Sequence, residues 1–231
     1  MTNRAVQWTK PLIFLLFLTP SLLLVRALLA NQLGSDPVAT LTHNTGDLAV
    51  YCLLIGLAIS PVRRLSPRLG FLVRYRRMVG LFAFYYATLH LLVYVFLFSG
   101  FDITSALANV KAHEWHALRQ NWIDVWPTLR DDLKKRVFIQ VGLLAWFLLF
   151  LLAITSPQSV MRRMGGKPWQ TLHRVVYGAA ILAMVHYWWL VKKGNLAPLA
   201  DTVVLAVLLL ARPAWSWWQK RRARPTLQTA A

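Results

Sequence analysis

Acidic residues are scarce in this chain, which holds only 8 Asp and Glu against 26 Lys and Arg and has a formal charge of +18 over 231 residues. In a soluble protein this excess would suggest nucleic-acid binding. The basic residues instead lie between apolar runs rather than on one binding face, so we attribute them to membrane topology and expect no nucleic-acid partner. A hydrophobic content of 57% and a mean hydropathy of +0.47 indicate an integral membrane protein.

Cysteine and nucleotide-binding motifs are also lacking. Cys52 is the only cysteine, so an intrachain disulfide is excluded, and its apolar surroundings predict a small core residue. No G-x-G-x-x-G motif follows a strand pattern anywhere in the chain. We therefore expect no built-in nicotinamide or flavin reductase domain.

Six apolar runs have about the length needed to cross a bilayer. They cover residues 11–30, 47–62, 78–99, 137–155, 171–191 and 196–218, the last interrupted at Arg212-Pro213. The first run follows Arg4 and Lys10 as a signal peptide would, but no clear A-x-A site comes after it, so we interpret it as a membrane span. The sequence predicts an all-α integral membrane protein, a single domain over residues 1–231 with a bundle of about six transmembrane helices.

The distribution of charge predicts an orientation for this bundle. Basic residues cluster at the N-terminus, in the loop with six arginines between residues 63 and 77, in the loop from 156 to 174, and in the tail that includes Arg224. All 8 acidic residues lie in the alternate segments. By the positive-inside rule, both termini are expected to be cytoplasmic.

Two histidines within the spans are the strongest candidates for function, because ionisable side chains in a bilayer are costly and usually face a bundle interior or a ligand. His90 lies 13 residues after Arg77, and His186 lies 12 residues after Arg174, which correspond to about 20 Å and 18 Å of helix. Both helices are expected to run outward, so the imidazoles should lie at nearly the same depth. Such a pair suits bis-histidine ligation of a haem iron, whereas either histidine alone is explained equally by hydrogen-bonded packing.

His173 differs from this pair because it lies at the inner edge of the fifth span. Its offset of 13 residues from His186 places it about 140° around an ideal helix. Either the chain after Pro168 is not yet regular helix, or His173 serves a separate site nearer the cytoplasm. The matching depth in the third span is occupied by Arg76 and Arg77, so we do not expect a complete second bis-histidine site.

Three further histidines lie outside the predicted spans. His43, in the segment T-H-N-T-G, precedes the second predicted span and is expected at a helix entry or on the surface. His113 and His116 form H-E-W-H, which lacks the H-E-x-x-H spacing of zinc hydrolases. We interpret them as loop residues that do not bind metal.

The arginine clusters of the inner loops are explained by topology and by contacts with anionic lipids. A second interpretation is that they bind the phosphate of flavin mononucleotide (FMN) or form a docking surface for an acidic reductase. The residues considered for it are Arg74, Arg76 and Arg77, with Arg162, Arg163 and Lys167.

Three blocks of the chain carry a specific resemblance: SDPVATLTHNTG (35–46), YRRMVGLFAFYYATLHLLVY (75–94) and GKPWQTLHRVVYGAAILAMVHYWWLVK (166–192). Their histidine positions, the R-R-x-x-G entry and the W-Q-x-L-H block agree together. They closely resemble the MsrQ, or YedZ, family of the ferric-reductase-like transmembrane class. Members of this family are the haem-binding membrane subunits of the bacterial periplasmic methionine-sulfoxide reductase system.

The resemblance implies an electron-transfer subunit of the bacterial inner membrane that is not an enzyme by itself. It implies b-type haem, one or two, associated with His90, His173 and His186, and also FMN. Electrons would pass from the quinone pool or a cytosolic flavin reductase to a periplasmic molybdenum-dependent partner, MsrP, which reduces methionine sulfoxide in oxidised proteins. The segment around His113 and His116 is longer than we expect for the family.

Two alternatives to this function are open at the level of sequence. In the first, the chain acts alone as a transmembrane ferric or oxygen reductase. In the second, it is a haem-free transporter or anchor, and its histidines relay protons or only pack against neighbouring helices. The first alternative predicts rapid reoxidation of the haem without MsrP, and the second predicts colourless purified protein.

Overall fold

The computed structural model of the protein describes residues 3–192 and 194–222, which form helices joined by short turns and contain no strand. The helices are α1 (Asn3–Leu29), α2 (Pro37–Leu65), a 3₁₀ helix (Pro67–Arg74), α3 (Arg76–Val93) continued by a π-helical segment (Tyr94–Phe98), α4 (Ile103–Lys111), α5 (Trp115–Lys135), α6 (Val137–Ile154), α7 (Gln158–Met164), α8 (Gly166–His173), α9 (Val176–Leu190) and α10 (Ala197–Arg222). This architecture confirms the predicted all-α class. Arg224, which the sequence assigns to the basic tail, lies outside the described residues.

Five of the described helices are long and apolar enough to cross a membrane: Trp8–Leu29, Pro37–Leu65, Arg76–Phe98, Val137–Ile154 and Ala197–Gln219. The remaining predicted span, the fifth, corresponds to α9, which has only 15 residues. Its shortness has a local cause, since the predicted span over 171–191 is divided in two. At the division Arg174 and Val175 donate to carbonyls three residues back, at 3.1 and 3.0 Å, so a tight turn separates α8 from α9.

The second helix begins at Pro37, well before the predicted start of its span at Asp47. Asp36 caps it by accepting a hydrogen bond of 2.9 Å from the backbone N–H of Ala39. Polar side chains of the first turns bond carbonyl oxygens four residues earlier, each at 2.7 Å: Thr42, Asn44 and Thr45. Because these polar groups are satisfied within the helix, a stretch that reads as a loop is helical, and His43 lies inside α2 rather than before it.

Two further expectations about the chain are wrong. The last span is not interrupted at Arg212-Pro213, because α10 continues to Arg222 with Pro213 inside it. The loop residues predicted at His113 and His116 are found only at His113, which lies in the turn between α4 and α5, whereas His116 is helical. His113 occupies this turn with a positive φ of 60°, and His116 lies in the first turn of α5.

The core forms where α2, α3, α6 and α9 meet. Ala83 and Ala179 are fully buried there, and Cys52 is 3% exposed, as predicted for a small core residue. Small side chains allow membrane helices to approach closely. Most of the surface of α1, by contrast, is exposed. One contact of α1 with the bundle is the hydrogen bond that Tyr86 of α3 donates to the carbonyl of Phe17.

Candidate functional site

The structure places the imidazoles of His90 in α3 and His186 in α9 next to each other inside the bundle. Their ring centroids are 6.0 Å apart and their planes are nearly perpendicular, at 85°. This juxtaposition agrees with the equal depth inferred for the two residues from their distance to the flanking arginines. Two imidazoles from separate helices therefore share one site in the interior of the bundle.

Each imidazole is fixed through Nδ1 to a carbonyl of a neighbouring helix. The Nδ1–H of His90 donates to the carbonyl of Thr42 in α2 at 2.9 Å, and the Nδ1–H of His186 donates to that of Phe138 in α6 at 2.7 Å. A hydrogen bond at Nδ1 selects the tautomer in which Nε2 keeps its lone pair. In this tautomer, the Nε2 of each ring could bind a metal.

A glycine lies behind each ring, at the position four residues after the carbonyl that holds it. A Cβ on Gly46 would be 3.2 Å from Nδ1 of His90, and a Cβ on Gly142 would be 2.8 Å from Nδ1 of His186. A side chain at either position would crowd the imidazole, so glycine leaves room for the ring to reach the main-chain carbonyl. Neither glycine was expected as a site residue. The signal in the sequence is a shared spacing, because each glycine follows its carbonyl residue by four positions, in T-H-N-T-G and F-I-Q-V-G.

This histidine pair fits the iron of a haem. Imidazole–metal bonds are about 2.0–2.1 Å long, so two imidazoles that share one metal have ring centres about 6 Å apart. Within residues 3–192 and 194–222, no group of three or more His, Cys, Asp and Glu side chains is arranged to hold a metal ion. Two histidines alone make a poor site for a bare ion, whereas a macrocycle brings four equatorial ligands of its own.

His173 ends α8 in a different environment. Its ring stacks on Trp169 with centroids 3.8 Å apart, and its Nδ1 is 3.1 Å from the carbonyl oxygen of the same residue. Trp169 is fixed in turn by a 2.8 Å hydrogen bond from Nε1 to the carbonyl of Thr155. The Nε2 atom of His173 is buried and has no hydrogen-bond partner among the described residues. A buried imidazole nitrogen without a partner is a candidate ligand atom.

His173 lines a cavity of about 720 Å³ at the end of the bundle where α2 ends and α3 begins. Its wall carries no acidic residue but five arginines: Arg63, Arg64, Arg76, Arg77 and Arg174. So many guanidinium groups around one space favour an anionic ligand. The volume is within the range of cofactor-binding pockets.

The structure revises the set of arginines assigned to this region from the sequence. Arg76 and Arg77 line the cavity, whereas Arg74, at the exposed end of the 3₁₀ helix, is not among its lining residues. The same holds for the three basic residues of the following loop: Arg162, Arg163 and Lys167. Arg63 and Arg64 were counted only as topology signals. They reach the cavity because the chain turns at Ser66 and the 3₁₀ helix returns it to the start of α3.

The other histidines do not join either site. His43 is exposed on α2, next to Thr42 but on another side of the helix. His113 lies near Trp115, with ring centroids 6.3 Å apart, in the turn between α4 and α5.

Comparison with known proteins identifies the chain. Residues 45–184, which include His90 and His173, match the family described as ferric reductase like transmembrane component. The chain is 41% identical over 215 residues to the protein-methionine-sulfoxide reductase heme-binding subunit MsrQ of Herminiimonas arsenicoxydans, covering 92% of this chain and 87% of that protein. The MsrQ of Bordetella pertussis is 40% identical over 225 residues, with 96% and 97% covered. That of Xanthomonas axonopodis pv. citri is 40% identical over 197 residues, with 85% and 77% covered. The chain therefore belongs to the MsrQ family of multi-pass membrane proteins, within the ferric-reductase-like transmembrane class.

Proposed function

We propose that this protein is the haem b electron-transfer subunit of a protein-methionine-sulfoxide reductase system. It accepts electrons from the quinone pool or a cytosolic flavin reductase and passes them to a periplasmic, molybdenum-dependent reductase of the MsrP type, with which it forms a heterodimer. The relatives named above support the haem and the reductase system. The observation that carries the proposal is the facing pair of His90 and His186, each fixed through Nδ1.

The chain's own residues define what this site does. When bound, haem supplies a one-electron couple between ferric and ferrous iron. His90 and His186 would each offer an Nε2 to the haem iron, and two such ligands would leave no position for a substrate, which suits electron transfer. The carbonyls of Thr42 and Phe138 accept from Nδ1–H and thereby increase the basicity of each imidazole. They also orient the two rings before the cofactor enters.

We assign the arginine-lined cavity to the side where electrons enter. The positive-inside rule places its arginines at the cytoplasmic face, with both termini on that side, in the inner membrane of a bacterium. Its charge suits the phosphate of FMN and equally the carboxylates of a second haem, for which His173 would supply the axial nitrogen. Both groups share the chemistry of an anionic, planar redox cofactor.

The experiment that tests the proposal is a reduced-minus-oxidised visible spectrum of the wild-type protein, purified in detergent after haem-replete expression. We expect the bands of low-spin b-type haem, and reoxidation of the reduced protein when the purified periplasmic partner is added with methionine sulfoxide. Colourless protein would instead indicate a transporter or anchor.

The name of the matched family favours one rival, a transmembrane ferric or oxygen reductase that acts alone. The same reduced protein distinguishes it. Fast reoxidation by a ferric chelate or by oxygen, with no acceleration by the periplasmic partner, would establish this rival and refute the electron-transfer role.

Neutralising two cavity arginines is expected to remove the anionic cofactor of the cavity. A hydrogen bond to a charged group contributes about 1.5–3 kcal/mol, so Arg76→Gln with Arg77→Gln should weaken binding by about tenfold or more. FMN released on denaturation and haem content per protein are measured together, because they identify which cofactor is lost.

The matched control is Arg162→Gln with Arg163→Gln, which removes the same charge from neighbouring residues that do not line the cavity. We expect this double variant, and Arg74→Gln, to retain the cofactor content of the wild type. If the cavity variant and the control lose equal amounts, the effect is one of topology or surface charge, and the cavity is not the site.

A further inference from the structure

Helix α5 has two chemically opposite faces. One face carries a polar row at helical spacing: Gln120, Asp124, Thr128, Asp131 and Lys135. Gln120 donates to Asp124 at 2.8 Å, and Lys135 pairs with Asp131 at 2.7 Å, so this row is a network of exposed polar groups suited to water. The opposite face carries most of the large apolar side chains of the helix.

Only part of the apolar face packs against the protein. Val125 is buried with Phe101 and Ala106 in a small core that α5 shares with α4. Beside it lies a strip of large apolar side chains that nothing in the described chain covers, with exposed fractions of 60, 47, 63 and 44%: Trp115, Ile123, Trp126 and Leu133. Arg119 and Arg130 are exposed along the same strip.

Several contacts hold α5 at the level where the spans end, opposite the arginine-lined cavity. Trp122 packs on Phe96 of the π-helical segment, with ring centroids 5.3 Å apart. Tyr94 of that segment donates to Asp132 at 2.9 Å. One residue after α5, the chain enters the span of α6 at Val137. The helix therefore lies against the ends of two membrane spans and cannot extend away from them.

An apolar groove adjoins this helix. It has a volume of about 520 Å³ and lies between Leu28 at the end of α1, Leu92 and Phe96 of the third span, and Trp122 of α5. Two of its walls are membrane spans, so the acyl chains of surrounding lipids can fill it. The groove brings the apolar strip of α5 next to a surface that faces the acyl region.

We propose that α5 is an interfacial helix, which lies in the headgroup layer of the bilayer with the strip of Trp115, Ile123, Trp126 and Leu133 directed into lipid. Trp is enriched where bilayer and water meet, and amphipathic helices of this kind bury their apolar face at the boundary of headgroups and acyl chains. Arg119 and Arg130 lie where lipid phosphates accept hydrogen bonds. The polar row is then left facing water. This placement is independent of the haem and of the partner.

The test measures lipid exposure with nitroxide labels in vesicles of phosphatidylcholine and phosphatidylglycerol. Cys52, the one native cysteine, is buried, and Cys52→Ser provides the background. Labels are attached at Trp126→Cys on the strip and at Asp124→Cys on the polar row. We expect the label at 126 to collide several-fold more with oxygen than with a water-soluble nickel chelate, and the label at 124 to show the reverse.

Leu133→Cys repeats the measurement on the strip, so the test does not depend on one tryptophan. Quenching by brominated phosphatidylcholine provides a measurement without labels: Trp126→Phe should lower the quenched share of tryptophan fluorescence relative to the wild type. Equal access of the nickel chelate to positions 126, 133 and 124 would overturn the proposal, because it would show that the strip lies in water and is open to a soluble protein.

Discussion

Purified His90→Ala protein is expected to lose the low-spin haem bands that the wild type shows, and His186→Ala is expected to lose them to the same extent. Each substitution removes one of the two imidazoles whose ring centroids lie 6.0 Å apart. A low-spin bis-histidine iron requires both donors, so either change should be sufficient. The measurement is the reduced-minus-oxidised spectrum and the haem content per protein after haem-replete expression.

His43→Ala is the matched control for this loss. It removes an imidazole from an exposed position of α2, one residue from the carbonyl of Thr42 that holds His90. We expect it to leave the spectrum unchanged. Full haem content with unchanged low-spin bands in His90→Ala or His186→Ala would show that the pair does not ligate iron.

His173→Ala separates the two sites in the same experiment. If the cavity holds a second haem on His173, this variant loses part of the absorbance while the bands from the pair of His90 and His186 persist. If the cavity holds FMN alone, haem content stays at the wild-type level. The three single variants together therefore assign each haem to its site.

Both candidate sites are built from segments that run the length of the bundle. α2 supplies the carbonyl of Thr42 at one end and Arg63 with Arg64 at the other. α3 begins at the cavity with Arg76 and continues to His90, and α8 with α9 extends from His173 to His186. The cavity proposed for electron entry is thus separated from the histidine pair by a core of helices common to both sites. This arrangement suits transfer across the membrane rather than storage at one surface.

The pairing of His90 with His186 could be anticipated from the sequence because helical rise is constant. Counting residues from the basic ends of two spans gives the relative depth of a side chain without knowledge of the packing. The length of the apolar runs also predicted the all-α class, since a helix of about 20 apolar residues spans a bilayer with its backbone groups bonded within the segment.

The supporting residues could not be found in the same way. Gly46 and Gly142 matter because the imidazole of a histidine on another helix packs against each of them. Residue counts do not reveal how one helix is rotated relative to another, so this packing could not be predicted. Arg63 and Arg64 enter the cavity through a turn at Ser66 that a charge pattern does not reveal. The early start of α2 could not be predicted because its polar side chains suggest a loop. Thr42 and its polar neighbours instead donate hydrogen bonds to carbonyls of their own helix.

For His173, the offset counted from the sequence assumed a regular helix that the structure does not contain. An ideal helix places His173 and His186 on different faces, which left two explanations for its role. The tight turn at Arg174 and Val175 shows that the chain is not one regular helix. The 140° offset therefore carries no information about whether His173 ligates iron, and its buried, unpartnered Nε2 becomes the relevant observation.

Gly142→Ala is expected to displace His186 and to cost most of the low-spin haem, although no ligand atom is removed. The new Cβ would lie 2.8 Å from both Nδ1 and Cε1 of the imidazole. A carbon atom cannot approach a ring so closely, so the ring must leave the carbonyl of Phe138 or α6 must move away from α9. Overpacking of this kind costs about 1–3 kcal/mol. We expect a smaller loss in Gly46→Ala, where the Cβ would be 3.2 Å from Nδ1 of His90.

Gly178→Ala in α9 is the control, because its Cβ would meet only Leu148, at an ordinary distance of 4.0 Å. Ala is a better helix former than Gly by about 0.5–1 kcal/mol, so all three variants gain the same intrinsic stability and differ only in what the methyl group meets. Haem content, the position of the low-spin bands and the reduction potential are compared at equal folded yield. The order of effect should be Gly142→Ala, then Gly46→Ala, then Gly178→Ala. Wild-type spectra and potential in Gly142→Ala would show that the glycine does not position His186. They would also contradict the proposal that the carbonyl of Phe138 orients this ring.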